Sequence, residues 1–189
     1  MSQLSSDDRR ALLDLARRAI SGAVIEKHIP DFSAHSASLR VPAGAFVTLH
    51  RNGRLRGCVG QVESTGPLAE VIARAAINAA LYDFRFPPVA AEEVATLEIE
   101  ISVLSPLDPI APEAIIVGRH GLMVVKDENR GLLLPQVAQE LRWSGQRFLE
   151  ETCAKAGLPR DAWREPSTQV FAFTAEVFSE TSLQAFSGF

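Results

Sequence analysis

Asn52-Gly53 divides two runs of strand-forming residues, Ala45-Phe-Val-Thr-Leu-His50 and Leu55-Arg-Gly-Cys-Val-Gly60. A two-residue type I′ turn needs positive φ at both central positions, which Asn-Gly tolerates well, so the stretch is committed to a β-hairpin. That turn also sets a register. Arg51 is expected to pair with Arg54, Leu49 to face Arg56 and Val47 to face Cys58, all on one side of the ribbon. Cys58 would then share a face with an apolar strip and two arginines.

The second run, L-R-G-C-V-G, sets a thiol between Gly57 and Gly60. Glycine inside a strand packs nothing and marks a bulge or a place where a ligand or another backbone comes close. Two readings of Cys58 fit these residues. In one, Arg56 or a cation from elsewhere favours its thiolate and makes it a nucleophile. In the other, cysteine is a small apolar residue and the glycines let a helix pack close.

Other polar residues carry a similar choice. His120, in Gly118-Arg-His-Gly121, is a base, donor or ligand candidate, or an ordinary turn histidine. Asp83 and Arg85 either make a charge pair that contacts an anion or anchor a loop made stiff by Phe84, Phe86, Pro87 and Pro88. Glu100 is a proton-transfer candidate or a solvated strand carboxylate. Arg51, Arg54 and Arg56 cluster as a phosphate or acidic-partner site, or serve solubility and edge protection. The catalytic candidates are therefore Cys58, His120 and Glu100. Arg56, Gly57, Gly60, Asp83, Arg85 and Arg119 are candidates for binding a small anionic ligand.

Periodicity fills in the remaining elements. Ser5 and Asp8 resemble a capping box ahead of Leu12, Leu15, Ala16, Ala19 and Ile20, which recur at helical spacing. Pro67 is expected at the first position of a second helix through Ala80. That helix is Ala-rich, buried and broken only by a stripe of Glu70, Arg74 and Asn78. Strict alternation from Thr96 to Leu104 predicts a strand. Leu122 to Lys126 and Leu132 to Leu134 make a second hairpin, ended by Pro135. A helix from near Ser144 stops at Gly157, with Cys153 on its core face. Val170 to Phe178 is expected as one strand with Phe171, Phe173, Ala175 and Val177 on one side. Helices and hairpins do not alternate as βαβ units, so the expected class is α+β, with mostly antiparallel hairpins packed against helices.

At 189 residues, with no linker, repeat or low-complexity tract, the chain is expected to be one unit over 1–189. Its polar N-terminus does not resemble a signal peptide, and two cysteines suit a reducing cytoplasm. A net charge of −4 and a pI near 5.6 lack the basic footprint of a nucleic-acid binder. Phosphate-loop, dinucleotide and nucleophile-elbow motifs are absent. His28, His35, His50 and His120 are scattered and no cysteines are paired, so no metal or other cofactor is expected from the local pattern.

The chain resembles the AMMECR-one domain family, whose bacterial members are also called AmmeMemoRadiSam system protein A. The likeness rests on F-V-T-L at 46–49, L-R-G-C-V-G, D-F-R-F-P-P at 83–88, E-I-S-V-L-S-P at 100–106, G-R-H-G-L at 118–122, G-L-L-L-P-Q-V-A at 131–138 and K-A-G-L at 155–158. Val59 stands where the family commonly has isoleucine. The resemblance implies a compact α+β protein with a larger and a smaller lobe and a shared cleft where the motifs gather. It also implies Memo-like and radical-SAM partner proteins. With two cysteines, this chain has no triplet to hold an iron–sulfur cluster, so radical chemistry would belong to the partner. The functional expectation is an accessory or binding subunit. The alternative is a cysteine-dependent enzyme or enzyme component.

Overall fold

The computed structural model describes residues 4–28, 36–63 and 66–185, and His35 lies outside them. The chain divides into two compact units, residues 1–104 with 176–189 and residues 105–175. Both carry antiparallel sheet and helix, which makes the fold α+β as the periodicity required.

The first unit is a four-stranded sheet with helices on one face. Its strands are β1 (Ala45–Arg51), β2 (Arg54–Gln61), β3 (Leu97–Leu104) and β8 (Ala175–Ser179), in the order β2-β1-β3-β8. Helix α1 (Ser6–Ser21) starts at Ser5, whose hydroxyl accepts the Asp8 N–H at 3.1 Å and donates to the Asp8 carboxylate at 2.8 Å. Helix α2 (Leu68–Leu81) has Pro67 at its cap, one place before the position expected, and buries Ala69, Ala73, Ala76 and Ala80. Small side chains let α2 lie close against α1, β1 and β2. Val47, Leu49, Ile99 and Ile101 fill the space beneath, all fully buried. The segment Glu176 to Glu180 returns to α1, where Arg17 clasps Glu180 and Arg9 pairs with Glu176 at 2.8 Å.

The second unit has its own sheet in the order β4-β7-β5-β6, from β4 (Asp108–Pro109), β5 (Gly121–Lys126), β6 (Asn129–Leu133) and β7 (Gln169–Phe173). Helices α3 (Pro135–Glu140) and α4 (Gly145–Lys155) accompany it. Phe148 and Leu149 of α4 join Leu122, Ala138 and Ala172 in a separate core. Cys153 is fully buried in a neighbouring cluster with Val124 and Ala162, and burial raises its thiol pKa.

The single strand expected over Val170 to Phe178 is two strands in two sheets. Extended pairing breaks at Thr174, so β7 joins the second unit and β8 the first. The apolar alternation changes phase across the break: Phe173 and Phe178 are buried while Val177 is exposed. Among the described residues no helix is long and apolar enough to cross a membrane.

Candidate functional site

The Asn52-Gly53 turn forms with φ of 52° and 70°, and Arg51 pairs with Arg54 as expected. Beyond it the expected register fails. His50 pairs with Leu55, but Leu49 pairs with Gly57, leaving Arg56 as the extra residue of a β-bulge. The bulge shifts every later partner by one. Thr48, not Val47, stands opposite Cys58, and Cys58 moves to the sheet face turned away from α2.

Gly57 takes the helix-facing position instead. A Cβ there would stand 2.2 Å from the carbonyl oxygen of Ala79 in α2, so only glycine lets strand and helix approach this closely. Gly60 serves a different contact, since a Cβ there would lie 2.5 Å from Cγ of Phe46. Both glycines are explained by packing within the fold.

Arg56, re-aimed by the bulge, is held by Glu93 in the helical turn Ala91–Thr96. Its Nε and Nη2 donate to the two Glu93 oxygens at 3.0 and 2.9 Å. Further bonds run from Nη1 to the Pro87 carbonyl and from Nη2 to that of Pro88. Arg51 also donates to Glu93, at 2.7 Å. The Arg56 bonds, the Ala90 N–H and the Arg51 charge together hold the Glu93 carboxyl down at about 2. Glu93 was not among the residues singled out from sequence, because no local pattern joins it to a strand 37 positions earlier.

Cys58 is itself gripped from the side. β2 is an edge strand, and its outward N–H at Cys58 donates to Asp83 Oδ2 at 2.8 Å, while the outward carbonyl accepts Arg85 Nη2 at 3.0 Å. Asp83 is only 3% exposed at its side chain and also accepts Arg85 Nε at 2.9 Å and Nη2 at 2.6 Å. Arg85 above all, aided by the Cys58 and Arg85 N–H groups, holds the Asp83 carboxyl far below the usual carboxylate range. The pair thus stands in for a neighbouring strand at one residue of the edge. Phe86 lies under the Arg85 guanidinium at 5.5 Å. Between the clamp residues Phe84 points into solvent, 97% exposed, beside Tyr82 at 71%.

The Cys58 thiol is partly accessible. Thr48 Oγ1 donates to its sulfur at 3.3 Å, and Arg85 lies near enough for the thiol to add to the forces favouring its charged form. Glu100 pairs with Thr48 on the other side of β1, so Cys58, Thr48 and Glu100 form one row across three strands. This row carries a thiol, a hydroxyl and a carboxylate.

Arg119 and His120 belong to the second unit. Gly118, with φ of 84°, makes the turn, and the Ile116 N–H donates to His120 Nδ1 at 3.2 Å. That bond leaves the ring proton on Nε2, where the imidazole is a donor. Burial, with a smaller contribution from Arg119, lowers the His120 pKa and favours the neutral ring. Among the described residues no three His, Cys, Asp or Glu side chains gather at metal-binding distances.

Residues 13–178 match the AMMECR1 family. A protein of Methanothermobacter thermautotrophicus is 43% identical over 194 residues, covering 94% of this chain and 96% of that protein. Protein PF1979 of Pyrococcus furiosus is 46% identical over 187 residues, covering 89% of this chain and 86% of that protein. The crystal structure of uncharacterized protein PH0010 from Pyrococcus horikoshii superposes with a TM-score of 0.85 at 42% identity, covering 92% of each chain.

Proposed function

The chain belongs to the AMMECR1 family, and we propose that it is a binding or accessory subunit that acts with Memo-like and radical-SAM partner proteins. Its contact surface is the aromatic turn beside the L-R-G-C-V-G strand. The observation that carries this reading is Phe84, 97% exposed on a turn hydrogen-bonded on both sides. Asp83 and Arg85 fix the turn on either side, and the Phe86 N–H donates to the Asp83 carbonyl at 3.0 Å. A rigid exposed aromatic loses little entropy when a partner covers it, which is how interface anchors gain their weight.

The neighbouring arginines support the same reading. Arg56 spends its donors on Glu93 and two prolyl carbonyls, and Arg85 spends Nε and Nη2 on Asp83 and Cys58. Both hold the strand in place. The partner classes come from the family likeness, and a reducing cytoplasm suits a partly accessible unpaired thiol.

The test is titration of purified Memo-like and radical-SAM proteins from the same genome against the wild-type chain and Phe84→Ala. Saturable binding to at least one, weakened about 10- to 100-fold by Phe84→Ala, is the expected result. Absence of binding to both, or a variant that binds as tightly as wild type, overturns the proposal.

A second reading draws on the row Cys58, Thr48 and Glu100. In it Cys58 is a nucleophile or carrier beside the Arg85 cation, with Glu100 transferring the proton. The hydroxyl at 3.3 Å from sulfur is the observation that favours it.

A further inference from the structure

We propose that the edge of β2 just past Cys58 takes an extended peptide segment of a partner protein as an added strand, hydrogen-bonded at Gly60. The inference rests on the accessory-subunit reading for the source of that peptide and names how the peptide is recognised.

The argument begins with register. The N–H and carbonyl of Cys58 point outward from the sheet, because Asp83 and Arg85 bond them from the side. In an antiparallel ladder the outward groups recur at every second residue. Cys58, Val59 and Gly60 pair in unbroken sequence with Thr48, Val47 and Phe46, so the backbone groups of Gly60 point outward as those of Cys58 do. Cys58 has a carboxylate for its N–H and a guanidinium for its carbonyl. Among the described residues no hydrogen bond to the corresponding groups of Gly60 is present. The clamp at Cys58 therefore demonstrates the chemistry the edge accepts, an acceptor and a donor side by side in the plane of the sheet. The backbone of one extended residue supplies both.

Space for that residue exists. A groove of about 720 Å³ runs between this edge and α2, with Val59, Val71 and Ala75 at its apolar parts and Arg74 and Asn78 beside them. A strand added at Gly60 sends alternate side chains toward α2. An aliphatic side chain suits Val59, Val71 and Ala75, and its polar neighbours remain at the open side. Asp83 and Arg85 cover the edge at Cys58, so the peptide engages a short length of strand and its register is set at Gly60.

The probe is a pool of acetylated, amidated pentapeptides Thr-X-Thr-X-Thr with X as valine, isoleucine or leucine, titrated into the full chain and followed by amide NMR. Saturable shifts at Gly60, Val71 and Ala75 are expected. They should be lost when the peptides carry N-methyl groups on alternate amides, which removes the donors on one edge. Asn78→Trp, an exposed change that fills the groove, should weaken binding at least tenfold while amides outside the groove keep their positions. Overturning results are a pool that moves nothing at Gly60, N-methylated peptides that bind equally well, or a Gly60 amide that moves on concentrating the protein alone, which would assign the edge to a second copy. Intact partner proteins bound through Phe84 with no peptide effect at Gly60 would defeat this inference and leave the proposed function standing.

Discussion

Each unit presses a helix against a strand glycine, and each has a cysteine beside that contact, yet the two cysteines meet opposite environments. In the first unit Gly57 of β2 meets the Ala79 carbonyl of α2, and Cys58, next along the strand, turns to the other face. In the second, Gly131 of β6 meets the backbone of Thr152 in α4 and of Ala156 at its C-terminal cap, and Cys153 sits on the helix, fully buried. A glycine next to a cysteine is thus a packing signal in both. Strand alternation makes Cys58 accessible, and helix geometry makes Cys153 core.

The largest expected effect tests that contrast directly. In native protein iodoacetamide should label Cys58 at least about a hundredfold faster than Cys153, whose labelling must await opening of α4. Peptide mass spectrometry reads both sites in one sample, and comparable rates would abolish the distinction. Next in size are the glycines themselves. Gly57→Ala and Gly131→Ala should each cost about 2–3 kcal/mol, because the added methyl meets backbone that cannot swing aside. Denaturant midpoints measure this, and a neutral result at either position would mean that its helix contact is slack.

Acid should then separate the units. Glu93 is held down at about 2 against an ordinary value of 4.5, and Asp83 is depressed as well. A depressed folded-state pKa gives stability that is present above the unfolded value and lost as pH falls toward the folded one. Between about pH 5 and 2 the first unit should lose about 1–2 kcal/mol beyond any loss in the second. Hydrogen exchange at β2 and β6 follows the two separately, and Glu93→Gln should flatten the β2 response. The smallest effect is at Thr48, where Thr48→Val removes the hydroxyl on the Cys58 sulfur. About 0.5–1 kcal/mol of stability should go, with a severalfold change in Cys58 labelling and none at Cys153. An unchanged Cys58 rate would make the 3.3 Å contact chemically idle.

Asn52-Gly53, the capping box at Ser5 and the alanine spacing of α2 were legible because each acts within a few residues. The bulge at Arg56 was not. Its stabilising partner, Glu93, arrives 37 residues later, and alternation alone put Cys58 on the wrong face. Phe84 was read only as stiffening its loop, since nothing in D-F-R-F-P-P says which aromatic is left outside. The strand interruption at Thr174 likewise hid inside a run of uniform strand propensity.

The path of the chain has a consequence during synthesis. Residues 105–175 interrupt the first unit, whose sheet is completed by β8 and whose α1 is clasped by Glu176 and Glu180 only afterwards. During synthesis α1 must wait until the whole inserted unit has been made, and that unit in turn waits for β7, because β4 and β5 both pair with it and only β5 and β6 form a local hairpin. Proteolysis of nascent chains stalled at successive lengths should show neither unit becoming resistant until residues 169–180 have left the ribosome.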